Sequence, residues 1–315
     1  MPELAGKRVL VTGATGFIGA NLVRRLLGEA ADVHACTLRG DVRRLTDVLD
    51  RVRLHRVDLA EPDDVSRVVR ASRPEVVFHL AAHGVLDARP DLARLEAATA
   101  GGTRRLLEAC RDCEAFVHVG GSSEYGPHEE PLREDMTPAP VTAYGRAKAA
   151  ATLAALEAAE RGLPVSVLRP FSVYGPWESP ARLVPTAIRA ALTGTVLPLT
   201  PAGFRRDYVF VDDVVDALVL ATRSGLAVGE VVNVGTGVQT ANEDVAAAIA
   251  ELTGREIRVD AGAIAPKQSD TTHWVADTRK ASRILGWQAQ TALRAGLAIT
   301  IEHFRGHAAG LVDTG

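Results

Sequence analysis

The stretch Val9-Leu-Val-Thr-Gly-Ala-Thr-Gly-Phe-Ile-Gly19 constrains this chain more than any other. A short apolar run ends in three glycines spaced G-x-x-G-x-x-G, and an amphipathic segment, residues 20–27, follows directly. Strand, tight turn and helix in that order open a βαβ unit suited to a dinucleotide. Gly13 permits the turn, Gly16 lets backbone approach a pyrophosphate, and Gly19 lets the helix pack close to the strand. Thr15, Phe17 and Ile18 lie between them, where unpaired helix-start N–H groups and a partial positive charge would meet the phosphates.

Residues 9–12, 33–37, 53–57, 76–80, 115–119 and 165–168 read as short strands, with helical periodicity between them. Repeated β–α alternation implies an α/β fold, a doubly wound parallel sheet of Rossmann type with helices on both faces. From about residue 169 six prolines, from Pro170 to Pro201, punctuate the pattern. We therefore expect a dinucleotide-binding domain over residues 1–168. Residues 169–315 should form mainly a smaller, loop-rich substrate domain over the carboxyl ends of the strands, with some segments returning to the sheet.

Tyr144-Gly-Arg-Ala-Lys148 places a phenol and an ammonium four residues apart, on one face of a helix. For a tyrosine to act as a base near pH 7, its pKa of about 10 must fall by roughly 4 kcal/mol. One ammonium about 4 Å away, at an effective dielectric near 20, supplies about that amount. Coupled to the upstream glycine turn, the pair reads as catalytic. The surrounding helix, residues 141–161, is alanine-rich and apolar on all sides, which predicts burial on more than one side. That burial could lie within its own sheet sandwich or in a helix bundle between two copies of the chain.

A net charge of −3 gives no reason to expect nucleic-acid or membrane partners. No leader-like segment opens the sequence and no run reaches membrane-spanning length, so the expected location is cytoplasmic. Cys36, Cys110 and Cys113 make no disulfide framework. Cys110-Arg-Asp-Cys113 has no second ligand pair at zinc spacing, so we expect packing residues and no metal site. Lysine is scarce, with only four in the chain, which makes Lys148 less easily a chance occurrence.

Further landmarks follow in order: Asp58-Leu59, His79-Leu-Ala-Ala82, Gly102-Thr103, Ser122-Ser-Glu-Tyr-Gly126, Arg169-Pro170, Tyr174-Gly-Pro176, Arg206-Asp-Tyr208, Asn233-Val-Gly-Thr236 and Leu285-Gly-Trp287. With these, nearly the whole chain resembles an extended short-chain dehydrogenase/reductase of the nucleotide-sugar epimerase/dehydratase/reductase type. The resemblance implies a nucleoside-diphosphate sugar as substrate, and the small side chains of the 141–161 helix favour a homodimer through a helix bundle that includes it. The resemblance makes Tyr144 the proton donor or acceptor, with Lys148 holding the nicotinamide ribose and lowering the tyrosine pKa. Asp58 and Leu59 would lie at the adenine, Leu80, Ala81, Ala82 and Pro170 along the rest of the cofactor. His83, Glu124, Ser172, Arg182 and Arg206 would meet the substrate, Arg206 at its diphosphate.

The departures also carry information. The family's catalytic Ser or Thr falls here on Gly121, so the hydroxyl is expected from Ser122 or, alternatively, Ser123. Family dehydratases carry an Asp-Glu pair directly after that residue. This chain has one acid, Glu124, out of register, which disfavours dehydration. Loss of the residue-121 hydroxyl is also compatible with a dinucleotide-binding sensor or scaffold, against which the intact Tyr144 and Lys148 argue.

The second strand ends in Thr37-Leu-Arg39 rather than in a carboxylate for the ribose 2′-hydroxyl. That pattern suits the 2′-phosphate of NADP, with NAD as the alternative. Together with a resemblance of residues 171–185 to 4-ketoreductases of deoxysugar synthesis, it favours an NADPH-dependent reductase of a 4-keto nucleotide sugar. A nucleotide-sugar 4-epimerase uses the same residues and is the alternative. The sugar itself would be set by loops 83–89, 177–182 and 198–204.

Overall fold

Residues 4–84, 91–223, 225 and 227–307 are described by a computed structural model. Its first half runs β1 (Arg8–Thr12), α1 (Phe17–Gly28), β2 (Asp32–Thr37), β3 (Arg53–Arg56), α2 (Pro62–Ser72) and β4 (Val76–His79). Next come α3 (Leu92–Glu96), a π-helical stretch Ala97–Gly101, α4 (Gly102–Ala109), β5 (Ala115–Val119), a 3₁₀ turn Ser122–Glu124, α5 (Ala143–Glu160) and β6 (Val165–Pro170). The remainder is β7 (Ser172–Tyr174), α6 (Leu183–Thr193), β8 (Leu197–Leu199), β9 (Arg205–Phe210), α7 (Val211–Leu220), β10 (Val231–Val234), β11 (Gln239–Ala241), α8 (Asn242–Thr253), β12 (Val259–Ala261), α9 (Arg279–Leu285) and α10 (Leu293–Gly306).

Seven strands form one parallel sheet in the order β10-β6-β5-β4-β1-β2-β3. Alternation along β1 explains why its run is apolar throughout. Val9 and Val11 enter the core under α1 and α7, whereas Leu10 enters the opposite one under α2, α4 and α5. Strand order reverses between β1 and β4, and a crevice opens there at the carboxyl ends of the strands. β10 comes from the second half of the chain but pairs with β6, so that half contributes an edge strand to the main sheet.

Over the crevice lies a smaller assembly. A three-stranded sheet β11-β9-β7 and a two-stranded one, β12-β8, pack with α6, α8 and α10 around Ile188, Ile249, Leu297 and Phe304. Proline spacing had suggested a loop-rich region here, yet the interior is well filled.

Thr142 caps α5, its hydroxyl accepting from the Gly145 N–H at 2.9 Å. Strand β6, α4 and the Ser122–Glu124 turn all pack against this helix. Alanines 147, 151, 154, 155 and 158 face the sheet, whereas Arg146, Leu153 and Glu157 are exposed. Leu153 is 57% exposed, and Leu92 of the neighbouring α3 is 63% exposed.

Candidate active site

Gly13 sits at φ +71°, a left-handed conformation that favours glycine. A Cβ there would come within 2.8 Å of the Ala81 backbone nitrogen, and one on Gly19 within 2.1 Å of the Gly13 carbonyl oxygen. The turn is therefore squeezed against the loop after β4, and the start of α1 faces the crevice. A cavity of about 560 Å³ begins at this turn and continues to Tyr144 and Lys148. Its wall includes Gly13, Gly16, Phe17, Ile18, Gly19, Thr37, Asp58, Leu59, Leu80, Ala81, Ala82, His83 and Pro170, all singled out by sequence. Residues 85–89 of the first expected specificity loop lie outside the described residues.

Tyr144 and Lys148 share one face of α5 and both line the cavity. Gly145 makes this placement possible, because a Cβ there would meet the Ser123 carbonyl oxygen at 2.5 Å. The helix can thus lie directly against the Ser122–Glu124 turn. Burial, aided by the charge of Glu124, pushes the Tyr144 phenol up to about 12, and Arg182 opposes the rise. Burial pulls the Lys148 ammonium down to about 8. Lys148 Nζ donates to the Val119 carbonyl.

Beneath Lys148 lie two buried histidines kept neutral by burial and by its charge. His79 is held between Thr12 Oγ1 at 2.6 Å and Thr103 Oγ1 at 2.8 Å. Its ring centroid is 5.3 Å from that of His118.

Ser122 and Ser123 both reach the wall but differ in surroundings. Ser122 Oγ accepts from Trp274 Nε1 at 3.2 Å. Ser123 Oγ lies 3.7 Å from where a Cβ on Gly121 would stand. The Ser122 hydroxyl is thus engaged by Trp274, and that of Ser123 stands beside the vacated residue-121 position.

Several expected ligands lie elsewhere. Glu124 is fully buried and makes no part of the cavity wall. One oxygen accepts from the Gly121 N–H at 2.8 Å and Thr152 Oγ1 at 3.1 Å. The other pairs with Arg169 at 2.9 Å. It is a strut behind the serine turn, not a substrate ligand.

Ser172 is also off the wall, which its neighbours Phe171 and Val173 line, because side chains alternate along an extended segment. Thr15 lies off the wall too, its carbonyl turned to Arg44 at 3.4 Å. Arg39 is exposed beyond Leu38 and does not reach the cavity. Arg206 stands outside the wall, paired with Asp270 at 2.7 Å and stacked over Trp274 at 5.6 Å. Burial, with a smaller like-charge effect from Arg182, pulls its guanidinium below the ordinary value. Arg182 does line the cavity.

Sequence reasoning named loop 177–182 but not, within it, Glu178, which lines the cavity and is 5% exposed. It falls between Tyr174-Gly-Pro176 and Arg182, and no feature of the loop's sequence marks it as the residue that turns inward. The cysteines behave as expected of packing residues. All three are buried, and burial pushes the Cys36 and Cys113 thiols up to about 12 and 11. Among the described residues no group of three or more His, Cys, Asp or Glu could hold a metal ion. No helix among them is long and apolar enough to cross a membrane.

The sequence matches the family model for the NAD dependent epimerase/dehydratase family over residues 9–235. It is 35% identical to UDP-glucose 4-epimerase of Mycolicibacterium smegmatis, covering 95% of this chain and 98% of that protein. It is 29% identical to dTDP-glucose 4,6-dehydratase 1 of Escherichia coli K12, covering 94% and 92%. Among solved structures, MoeE5 in complex with UDP-glucose and NAD superimposes with a TM-score of 0.84 at 35% identity, over 95% of this chain and 99% of that one. UDP-glucose 4-epimerase of Thermotoga maritima with UDP-glucose gives a TM-score of 0.87 at 30% identity, over the same shares.

Proposed function

Because this chain belongs to the NAD dependent epimerase/dehydratase family, and is thus an enzyme of nucleotide-sugar chemistry, we propose that it is an NAD-dependent nucleotide-sugar 4-epimerase. The observation that carries the reading is the single cavity running from the glycine turn to Tyr144 and on to Arg182. The cradle fits a dinucleotide: at Gly13 and Gly19 no side chain has room, so backbone N–H groups can approach a pyrophosphate. Thr37, Asp58 and Leu59 would flank the adenosine, and Leu80, Ala81 and Ala82 the pyrophosphate and inner ribose. When bound, the nicotinamide supplies the hydride acceptor and donor for the sugar carbon and, oxidised, a positive charge beside the phenol.

Tyr144 takes and returns the proton at the sugar 4-oxygen. A phenol at about 12 needs roughly 7 kcal/mol of differential stabilisation to act at pH 7. Lys148, released from the Val119 carbonyl to within about 4 Å of the phenol, contributes about 4 kcal/mol of it at an effective dielectric near 20. Ser123 donates to the same oxygen, and Ser122 stays tied to Trp274.

Two observations support epimerisation over the neighbouring reactions. The only acid of the Ser-Ser-Glu turn is spent on Arg169, leaving none there to remove water as the dehydratases do. The NADPH-dependent 4-ketoreductase expected from the sequence is supported less well, since MoeE5 and the Thermus thermophilus UDP-glucose 4-epimerase, both similar to this chain, were solved in complex with NAD. Arg39, its main support, is off the cavity wall. We also propose a homodimer across α5 and α3, where Leu153 and Leu92 are exposed.

Protein purified without added cofactor should retain NAD, identified by mass after denaturation. It should interconvert UDP-glucose and UDP-galactose by NMR with no net change in reduced dinucleotide. Net consumption of NADPH with a 4-keto sugar nucleotide, and no epimer formed, would overturn the reading.

A further inference from the structure

Glu178 is the one acidic side chain of the cavity wall, apart from Asp58 at the far end, among the described residues. Its Oε2 is buried with no hydrogen-bond partner among them. Its Oε1 lies 3.8 Å from Arg182 Nε, too far for a hydrogen bond. A buried carboxyl oxygen left unpaired is costly, so Glu178 Oε2 calls for a polar partner from whatever the cavity binds. Burial pushes this carboxyl up to about 8, with Arg182 and the Gly175 backbone opposing the rise. Near neutral pH it therefore offers both a donor and an acceptor.

Its backbone is held at some cost. Trp177 is a non-glycine residue at φ +70°, a conformation that persists only where the surroundings impose it. Here they do. Arg44 Nε donates to the Trp177 carbonyl at 2.8 Å, and Asn21 Nδ2 to the Pro176 carbonyl at 3.0 Å. The indole lies beneath Arg24 at 4.7 Å and against His303 at 4.5 Å. The left-handed residue turns the chain so that residue 178 faces inward.

Glu178 lies against Arg182 on the same cavity wall that carries Tyr144.

We propose that Glu178 is a specificity-determining residue whose free oxygen takes one hydroxyl of the hexose other than the 4-hydroxyl that Tyr144 serves. The site would thus select sugars that carry that hydroxyl and reject their deoxy counterparts. The inference rests on the nucleotide-sugar reading of the cavity. A group built to meet a hydroxyl rejects the analogue lacking it more strongly than an apolar pocket rejects a smaller substituent.

The test is a coupling cycle read by calorimetric binding to the NAD-loaded protein, so it does not depend on turnover. UDP-glucose and its 2-deoxy, 3-deoxy and 6-deoxy forms are titrated into wild type, Glu178→Leu and Glu178→Gln. In wild type one analogue should bind about ten- to a hundredfold more weakly than UDP-glucose, the worth of one hydrogen bond to a chargeable group. In Glu178→Leu that discrimination should vanish for the same analogue and persist for the others. Glu178→Gln should keep part of it, with NAD retention and thermal midpoint unchanged in both variants.

Equal loss for every analogue, an unchanged pattern in Glu178→Leu, or no binding of UDP-glucose to wild type would overturn the proposal. Failure of epimerisation with the coupling intact would remove the 4-epimerase reading and leave Glu178 as the hydroxyl ligand.

Discussion

Removing the Glu124 carboxylate should destabilise the protein severely while leaving substrate affinity nearly unchanged. In Glu124→Ala the Arg169 guanidinium, 3% exposed, loses its counter-charge but cannot reach water. Its Nη1 lacks a partner among the described residues, and the Tyr125 ring beneath it, at 4.6 Å, compensates in part. Breaking a buried pair by removing one member costs about 3–5 kcal/mol. For a chain of this size each kcal/mol corresponds to a few degrees, so the thermal midpoint should fall by roughly 6–15 °C.

The Gly121 N–H and Thr152 hydroxyl also lose their acceptor, so the serine turn loosens and kcat falls with it. KM for the sugar nucleotide should move less than about threefold, because the carboxylate is not on the cavity wall. Calorimetric melting, paired with steady-state kinetics at a permissive temperature, separates the two quantities. The double change Glu124→Leu/Arg169→Met should recover much of the midpoint, since apolar replacements of a buried pair are often neutral. A normal midpoint with KM raised tenfold or more would refute the strut and restore Glu124 as a substrate ligand.

Tyr144→Phe should abolish turnover while leaving retained NAD intact by mass, and activity within tenfold of the parent would sink its role. Ser123→Ala should lower kcat about a hundredfold, as expected for one oriented donor. Ser122→Ala should act mainly on stability, and the reverse ranking in parallel kinetics would return the role to Ser122. Lys148 titrates near 8 when folded against 10.5 in an exposed chain. Its burial is then a penalty, full below about pH 8 and relieved as pH rises toward 10.5, because only the unfolded chain keeps the proton in that window. Cofactor-free Lys148→Met should therefore exceed wild type by up to about 3 kcal/mol at pH 7, with the gap closing by pH 10 in denaturant titrations. A gap independent of pH would refute the shift. Leu153→Arg should yield monomers by light scattering if the exposed face of α5 joins two copies.

Much of the sheet was legible because its strands are short, β-branched and bounded by glycine or charge, so period and punctuation agree. Residues 115–119 were read to the residue, and the others to within one or two positions, the usual fraying of element ends. The smaller assembly was less legible. Its strands β7, β8, β11 and β12 are three residues each, too short for a period of two to show. They are held by packing around Ile188, Ile249 and Phe304 that no local pattern records.

At the site, backbone-determined features were readable and side-chain allegiances were not. The glycine turn is written in residue types that steric necessity imposes, and the four-residue spacing of Tyr144 and Lys148 follows from helix geometry. A carboxylate or guanidinium, by contrast, has the same appearance in sequence whether it meets a ligand or another part of the chain. Glu124 and Arg206 each found a partner, Arg169 and Asp270, at separations of 45 and 64 residues. Those pairings depend on how β5 meets β6 and how the 270 segment crosses β9.

Glu178 is the converse case. Its loop was expected at the sugar, but no local pattern shows its burial, beside which Arg44 and Asn21, from the first half of the chain, hold the backbone of residues 176 and 177. The chemistry-bearing groups that sequence misplaced are thus those whose roles are decided by contacts between the two halves. The substrate cavity lies where those halves meet, so its specificity is the property least accessible to any reading that proceeds along the chain.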